Sequence, residues 1–286
     1  MLNVYGYNKD KVIENILIKS QEERKIFSNE YINTFDIDII QDIEEKLSGP
    51  TKFLFIGLLS KSLTVKSIFL NKAIDENNLE CILTIILSNP INEIKKLNQA
   101  YDEAYSESIF EILKMNFSND FIKLLENLMS ANNTKKSRHI EDDLILLRSI
   151  LETKDADPKD IYKIFVNKSF SEINDIYESY LKSYESDLII LLKDIYKDET
   201  LYLIEFLFKI SKDKCIYIAE TFNRILKEDN INEFHIVSII SFFENDLNNV
   251  SKKYEELYNS KITDSFKSKE KYEILNLMKK VFEYYS

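Results

Sequence analysis

Four times in this chain an apolar or aromatic side chain recurs at every fourth position. The copies are Phe27, Tyr31, Phe35 and Ile39; Leu97, Tyr101, Tyr105 and Ile109; Ile176, Tyr180, Tyr184 and Leu188; and Val250, Tyr254, Tyr258 and Ile262. An acid stands four residues ahead of each: Glu23, Glu93, Glu172 and Asp246. Successive copies are offset by 70, 79 and 74 residues. Self-similarity of this kind means one supersecondary unit used repeatedly. Upstream of each ladder lies a second pattern: Ile13, Ile16 and Leu17; Leu83, Ile86 and Leu87; Tyr162, Phe165 and Val166; Ile236, Ile239 and Ile240. Spacing of i, i+3, i+4 is the stripe of a helix that faces a core. Ser20 to Glu23 and Ser169 to Glu172 fit a capping box and predict helix starts between triplet and ladder. Further stripes follow at Phe53, Ile56 and Leu59, at Phe121, Leu124 and Leu125, and at Leu201, Ile204 and Leu207. Each unit therefore holds more helices than a two-helix solenoid repeat of about 34 to 47 residues can contain.

Composition supports an all-α fold. Only 3 Gly and 3 Pro occur in 286 residues, and hairpins need turn glycines that helices do without. The same scarcity removes glycine-rich phosphate loops. A net charge of −11 argues against a nucleic-acid partner, because phosphate neutralisation needs a basic footprint. Cys81 and Cys215 stand in different units without metal-ligand spacing, and read as two buried thiols in a reducing cytosol. The polar start, Met1 to Asp10, is no signal peptide, and the longest apolar run, Phe53 to Leu59, is too short to span a bilayer. A cytoplasmic protein is the expectation. The polar stretch Asn132 to Arg138 reads as the longest linker, dividing the chain into halves of two units each.

These residues resemble the annexin core, four repeats of about five helices each. Leu83 to Tyr105 is similar to the second and third helices of an annexin repeat, and Tyr217 to Ile240 to the opening of a fourth repeat. The resemblance implies repeats over 1–60, 61–131, 139–213 and 214–286, with a linker at 132–138. It implies that each ladder is broken near its third member into two helices. It also implies that the first repeat lacks its first helix, leaving part of that repeat's stripe, at Ile13 or Leu17, open to solvent for self-association or a protein partner.

The family function the resemblance implies is peripheral binding to anionic phospholipid membranes through calcium, with no enzymatic activity. An annexin repeat binds Ca²⁺ with the carbonyls of a G-x-G-T loop and a carboxylate about 40 residues on, and calcium requires six to eight oxygens. The corresponding loops here are Val4-Tyr5-Gly6-Tyr7, Ile74-Asp75-Glu76-Asn77, Lys154-Asp155-Ala156 and Lys227-Glu228-Asp229-Asn230. The capping positions are Lys46, Asn116, Ile195 and Lys269, or Lys267 if the last loop is shortened. No cap is acidic, and among the loops Gly6 alone is a glycine. The expectation is therefore degenerate calcium sites, with Asp75, Glu76, Asp155 and Asp229 as weak metal candidates. Gly6, Tyr7, Lys46, Lys154, Lys227 and Lys269 are the candidate membrane-facing residues, their lysines replacing the metal by fixed charge at on the order of 1 kcal/mol each near an anionic leaflet. The alternative is a protein-interaction scaffold that kept the fold and lost lipid and calcium binding. His139 to Asp143 reads as a solvated helix start with acids in its first turn, His235 as a packed or surface histidine, and the ladder tyrosines as core. No catalytic constellation is present.

Overall fold

A computed structural model describes residues 16–88, 91–130, 139–153, 160–165, 168–267 and 273–285. Among them all regular structure is helical. The chain forms two compact units, one from residues 1–69 with 215–286 and the other from 70–214. The polar stretch 132–138 lies outside the described residues, and the chain on both sides of it belongs to the second unit.

The first unit begins with α1 (Gln21–Phe35), α2 (Ile39–Lys46) and α3 (Gly49–Leu59). Helix α4 (Leu63–Asp75) carries the chain into the second unit, which continues with α5 (Leu79–Leu87), α6 (Ile91–Tyr105), α7 (Ile109–Asn116), α8 (Asn119–Ser130), α9 (Ile140–Glu152), α10 (Tyr162–Phe165), α11 (Phe170–Tyr184), α12 (Leu188–Leu192) and α13 (Glu199–Lys212). The chain then returns to the first unit as α14 (Lys214–Lys227), α15 (Glu233–Phe242), a 3₁₀ turn (Glu244–Asp246), α16 (Leu247–Tyr258), α17 (Ile262–Lys267) and α18 (Glu273–Tyr285).

Every ladder breaks at the same place. Its third member is the last residue of one helix and its fourth is the first residue of the next. Between them Asp36, Ser106, Glu185 and Asn259 adopt left-handed φ of 55°, 56°, 52° and 50°. This is the helix-ending conformation in which the cap N–H closes onto a carbonyl one turn back. The bonds run to Ile32, Asp102, Leu181 and Glu255 at 2.8 to 2.9 Å. Asp38, Ser108 and Asp187 then cap the following helices, their side chains accepting from Ile40, Phe110 and Ile189 N–H. Both predicted capping boxes form, with Ser20 and Glu23 opening α1 and Ser169 and Glu172 opening α11.

In the first unit, α3 lies so close to α15 that a Cβ on Gly57 would sit 2.1 Å from Ser241 Oγ. Phe53, Phe69, Phe234 and Phe242 interlock around this crossing, with ring centroids 4.9 to 5.5 Å apart. Beneath them Arg24 is fully buried, donating Nε to Ile16 O (3.0 Å), Nη1 to Leu58 O (3.1 Å) and Nη2 to Glu244. Lys61 Nζ reaches the second oxygen of Glu244 at 2.9 Å. Burial draws the Lys61 ammonium below its ordinary pKa against the pull of Glu244. Ile16 and Leu17 are 1% and 0% exposed, which corrects the expectation that Leu17 faces solvent; Ile13 lies outside the described residues.

In the second unit, α11 packs on α13, and α8 lies against both α6 and α13. The predicted stripe of α5 is buried in full, Leu83, Ile86 and Leu87 among it. Two expectations are corrected here. Asp143, in the first turn of α9, is buried and pairs with buried Lys168 at 2.6 Å, so it is no solvated helix-start acid. Among the ladder tyrosines only the second member of each ladder is core: Tyr101 and Tyr180 here, Tyr31 and Tyr254 in the first unit, whereas the third members are partly exposed. Cys81 is buried, but Cys215 is only half-buried, because it falls in the first turn of α14.

Candidate functional site

The candidate residues stand at helix ends whose position the ladders set. Gly6, Tyr7, Lys154, Asp155 and Lys269 lie outside the described residues. Lys46, Asp75, Glu76, Lys227 and Asp229 are described, together with the capping positions Asn116 and Ile195.

Asp75 ends α4 and accepts from Asn71 Nδ2 at 3.3 Å, while Asn71 Oδ1 takes the Tyr101 hydroxyl at 2.7 Å. Glu76 is ion-paired to Lys72 at 2.9 Å. Asn77 supplies the left-handed residue, at φ 50°, that a glycine usually provides, and Asn78 caps α5 through Cys81 N–H. The Glu76, Asn77 and Asn78 N–H groups close onto the carbonyls of Lys72, Ile74 and Ala73. The turn is a tight helix-to-helix reversal whose own backbone uses those carbonyls. Burial and the neighbouring acids Asp75 and Glu107 hold the Tyr101 hydroxyl well above the usual tyrosine range, so it stays protonated.

Lys46, the last residue of α2, folds back onto Asp42, which is 2% exposed and also accepts the Tyr31 hydroxyl at 2.6 Å. Burial raises the Asp42 pKa, but the bonds from Lys46 and Tyr31 outweigh it and leave the carboxyl below its ordinary value. The Lys46 charge is thereby matched by a buried carboxylate, although the lysine itself is exposed. Its partner was legible as an i, i+4 pair, but the burial of Asp42 was not.

Lys227 ends α14 with its ammonium 5.8 Å from the centroid of Tyr258, the third member of the last ladder. Tyr258 packs on Tyr254 at 4.9 Å, and Tyr254 shares hydrogen bonds with Ser265 (2.9 Å) and Asn223 (3.5 Å). Burial, with Glu220 nearby, raises the Tyr258 pKa. In the second unit the same ladder position, Tyr184, carries Arg148 at 5.2 Å, but Arg148 is held by Glu152 at 2.6 Å. Asp229 is exposed in the turn after α14. Among the described residues no group of three or more His, Cys, Asp or Glu side chains is placed to hold a metal ion.

No family model matches the chain. Bovine annexin A4 is 25% identical over 142 residues, covering 49% of this chain and 44% of that protein. Mouse annexin A10 is 25% identical over 181 residues, covering 60% and 55%. The chain thus spans about half the length of the relatives it matches by sequence. The structural likeness is longer: annexin III superposes with a TM-score of 0.84 at 19% identity over 98% of this chain and 90% of that one. Calcium-bound alpha-14 giardin gives 0.77 at 14% identity over 95% and 93%. The fold is the annexin fold. Among the described residues no helix is long and apolar enough to cross a membrane.

Proposed function

We propose that this chain, which has the annexin fold, is an annexin-type peripheral phospholipid-binding protein with degenerate calcium sites, acting at the cytoplasmic face of membranes and not as an enzyme. The repeat boundaries at 1–60, 61–131, 139–213 and 214–286 are part of this reading. One observation carries it: the helical frame is built at every ladder, while none of the described cap positions, Lys46, Asn116 and Ile195, is acidic. Asp75 and Glu76 are engaged by Asn71 and Lys72, Asn116 is uncharged, and Lys46 puts a cation where a cap carboxylate would stand. Calcium bound through Asp75, Glu76 or Asp229 would be weak, because among the described residues no group of three or more acidic, His or Cys side chains gathers there; Asp155 remains a weak candidate outside the described residues. Contact with anionic lipid then rests on fixed cations, whose attraction salt screens.

Sedimentation with phosphatidylserine vesicles tests this, in Ca²⁺ or EGTA, at low and high salt. The expected result is binding in EGTA that falls at high salt. A micromolar calcium requirement would overturn the degenerate-site reading. Absence of binding in every condition would leave the protein-interaction scaffold.

A further inference from the structure

We propose that the cleft between the first turn of α1 and the junction of α3 with α4 binds a small soluble phosphate compound, at the opposite end of α3 from the cap position Lys46. The cleft has a volume of about 380 Å³ and is lined by Gln21, Glu22, Lys25, Leu59, Ser60 and Lys61. A cavity of this size holds a phosphate group with a small organic body. Five of its six lining side chains are polar or charged, so it suits a charged ligand and not an apolar one.

The floor of the cleft is electropositive because of what lies beneath it. Lys61 is the part of the Arg24–Glu244–Lys61 cluster that reaches the cleft, with its side chain 25% exposed. Its ammonium donates to Gly57 O at 2.8 Å and Ser241 O at 2.5 Å and meets Glu244 at 2.9 Å. With three hydrogens turned inward, it offers the cleft charge and not a donor. Burial draws this ammonium below its ordinary pKa, Glu244 pulls it back, and the Arg24 charge pushes it down further. An anion in the cleft eases both costs.

The donors that can turn to the ligand are on α1. Lys25 is exposed and, among the described residues, makes no ion pair; Gln21 is exposed one turn earlier. Lys25 together with the Lys61 charge suits a doubly charged phosphate better than a single carboxylate. Glu22 also lines the cleft, opposes an anion there and limits its affinity. Position argues for a soluble ligand. Lys46 ends α2 just before α3 begins, whereas the cleft lies where α3 ends. Helix α3 has 11 residues, a length of about 16 Å. Neither the cleft nor its ligand depends on the membrane reading above.

The test is calorimetric titration of the full chain with inorganic phosphate at neutral pH and fixed ionic strength, comparing wild type, Lys25→Gln, Glu22→Gln and Lys123→Gln. Lys123 is an exposed lysine of α8 in the second unit, so its substitution makes the same change in net charge away from the cleft. Wild type should show saturable one-to-one binding. Lys25→Gln should weaken it at least about fivefold, Glu22→Gln should tighten it, and Lys123→Gln should change it less than about twofold. Acetate in place of phosphate should bind at least about fivefold more weakly. Absence of saturable binding by the wild type would overturn the proposal. So would an unchanged affinity in Lys25→Gln, equal losses from Lys25→Gln and Lys123→Gln, weaker binding by Glu22→Gln, or acetate binding as tightly as phosphate.

Discussion

Replacing Glu185 by glycine should stabilise the protein. Glu185 ends α11 at φ 52° and ψ 27°, with its side chain in solvent and its N–H closing onto Leu181 O at 2.9 Å. For a residue with a Cβ the left-handed conformation costs roughly 1 to 2 kcal/mol, because Cβ crowds the following carbonyl. Glycine removes that cost but gives the unfolded chain extra freedom, worth about 0.4 to 1 kcal/mol in the opposite direction. The difference leaves a gain of about 0.5 to 1 kcal/mol. Removing a carboxylate from the negative end of the α11 dipole acts in the same direction. Ser106→Gly should behave similarly, without the charge effect. Asn259→Gly and Asp36→Gly should gain less, since Asn and Asp tolerate this conformation better. Urea unfolding followed by circular dichroism reads the change as a rise in midpoint at unchanged slope. A lower midpoint for Glu185→Gly, or a larger gain for Asn259→Gly than for Glu185→Gly, would refute the strain argument.

Gly57→Ala should act in the opposite sense. The new methyl would meet Ser241 Oγ at 2.1 Å, Ser241 Cβ at 2.5 Å and the Phe69 ring at 3.0 Å, and overpacking on this scale costs about 1 to 3 kcal/mol in the same unfolding assay. The third prediction concerns acid. Asp42 has a folded pKa below its unfolded value of 3.8, so its contribution is complete above that pH and is lost as pH falls through the folded value. Asp42→Asn should therefore lower stability at neutral pH and flatten the decline below about pH 4, measured as urea midpoint against pH.

Much of the fold was legible in the chain because helical periodicity is local. The i, i+4 ladders marked the helices α1, α6, α11 and α16, and the glycine and proline scarcity argued against sheets. Ser20 and Ser169 marked two helix starts, since a capping box is complete within four residues. The ladder break needed the resemblance: no glycine marks Asp36, Ser106, Glu185 or Asn259, so the left-handed stops are silent in the sequence. The candidate site was legible as positions and not as states. Lys46 and Lys227 read as equivalent loop lysines, yet one is paired with buried Asp42 and the other lies over an aromatic ring.

The sequence by itself marked a fourfold helical pattern, and its resemblance to annexins pointed to the loops in which an annexin would bind calcium. Only the tertiary structure decided that Arg24 and Lys61 share Glu244, that Lys168 holds Asp143 in the core, and that Lys46 pairs with a buried Asp42. The physical reason is range. A helical stripe is set by neighbours three and four residues away, whereas Arg24 and Glu244 meet across 220 residues of chain, and only packing brings such charges into register.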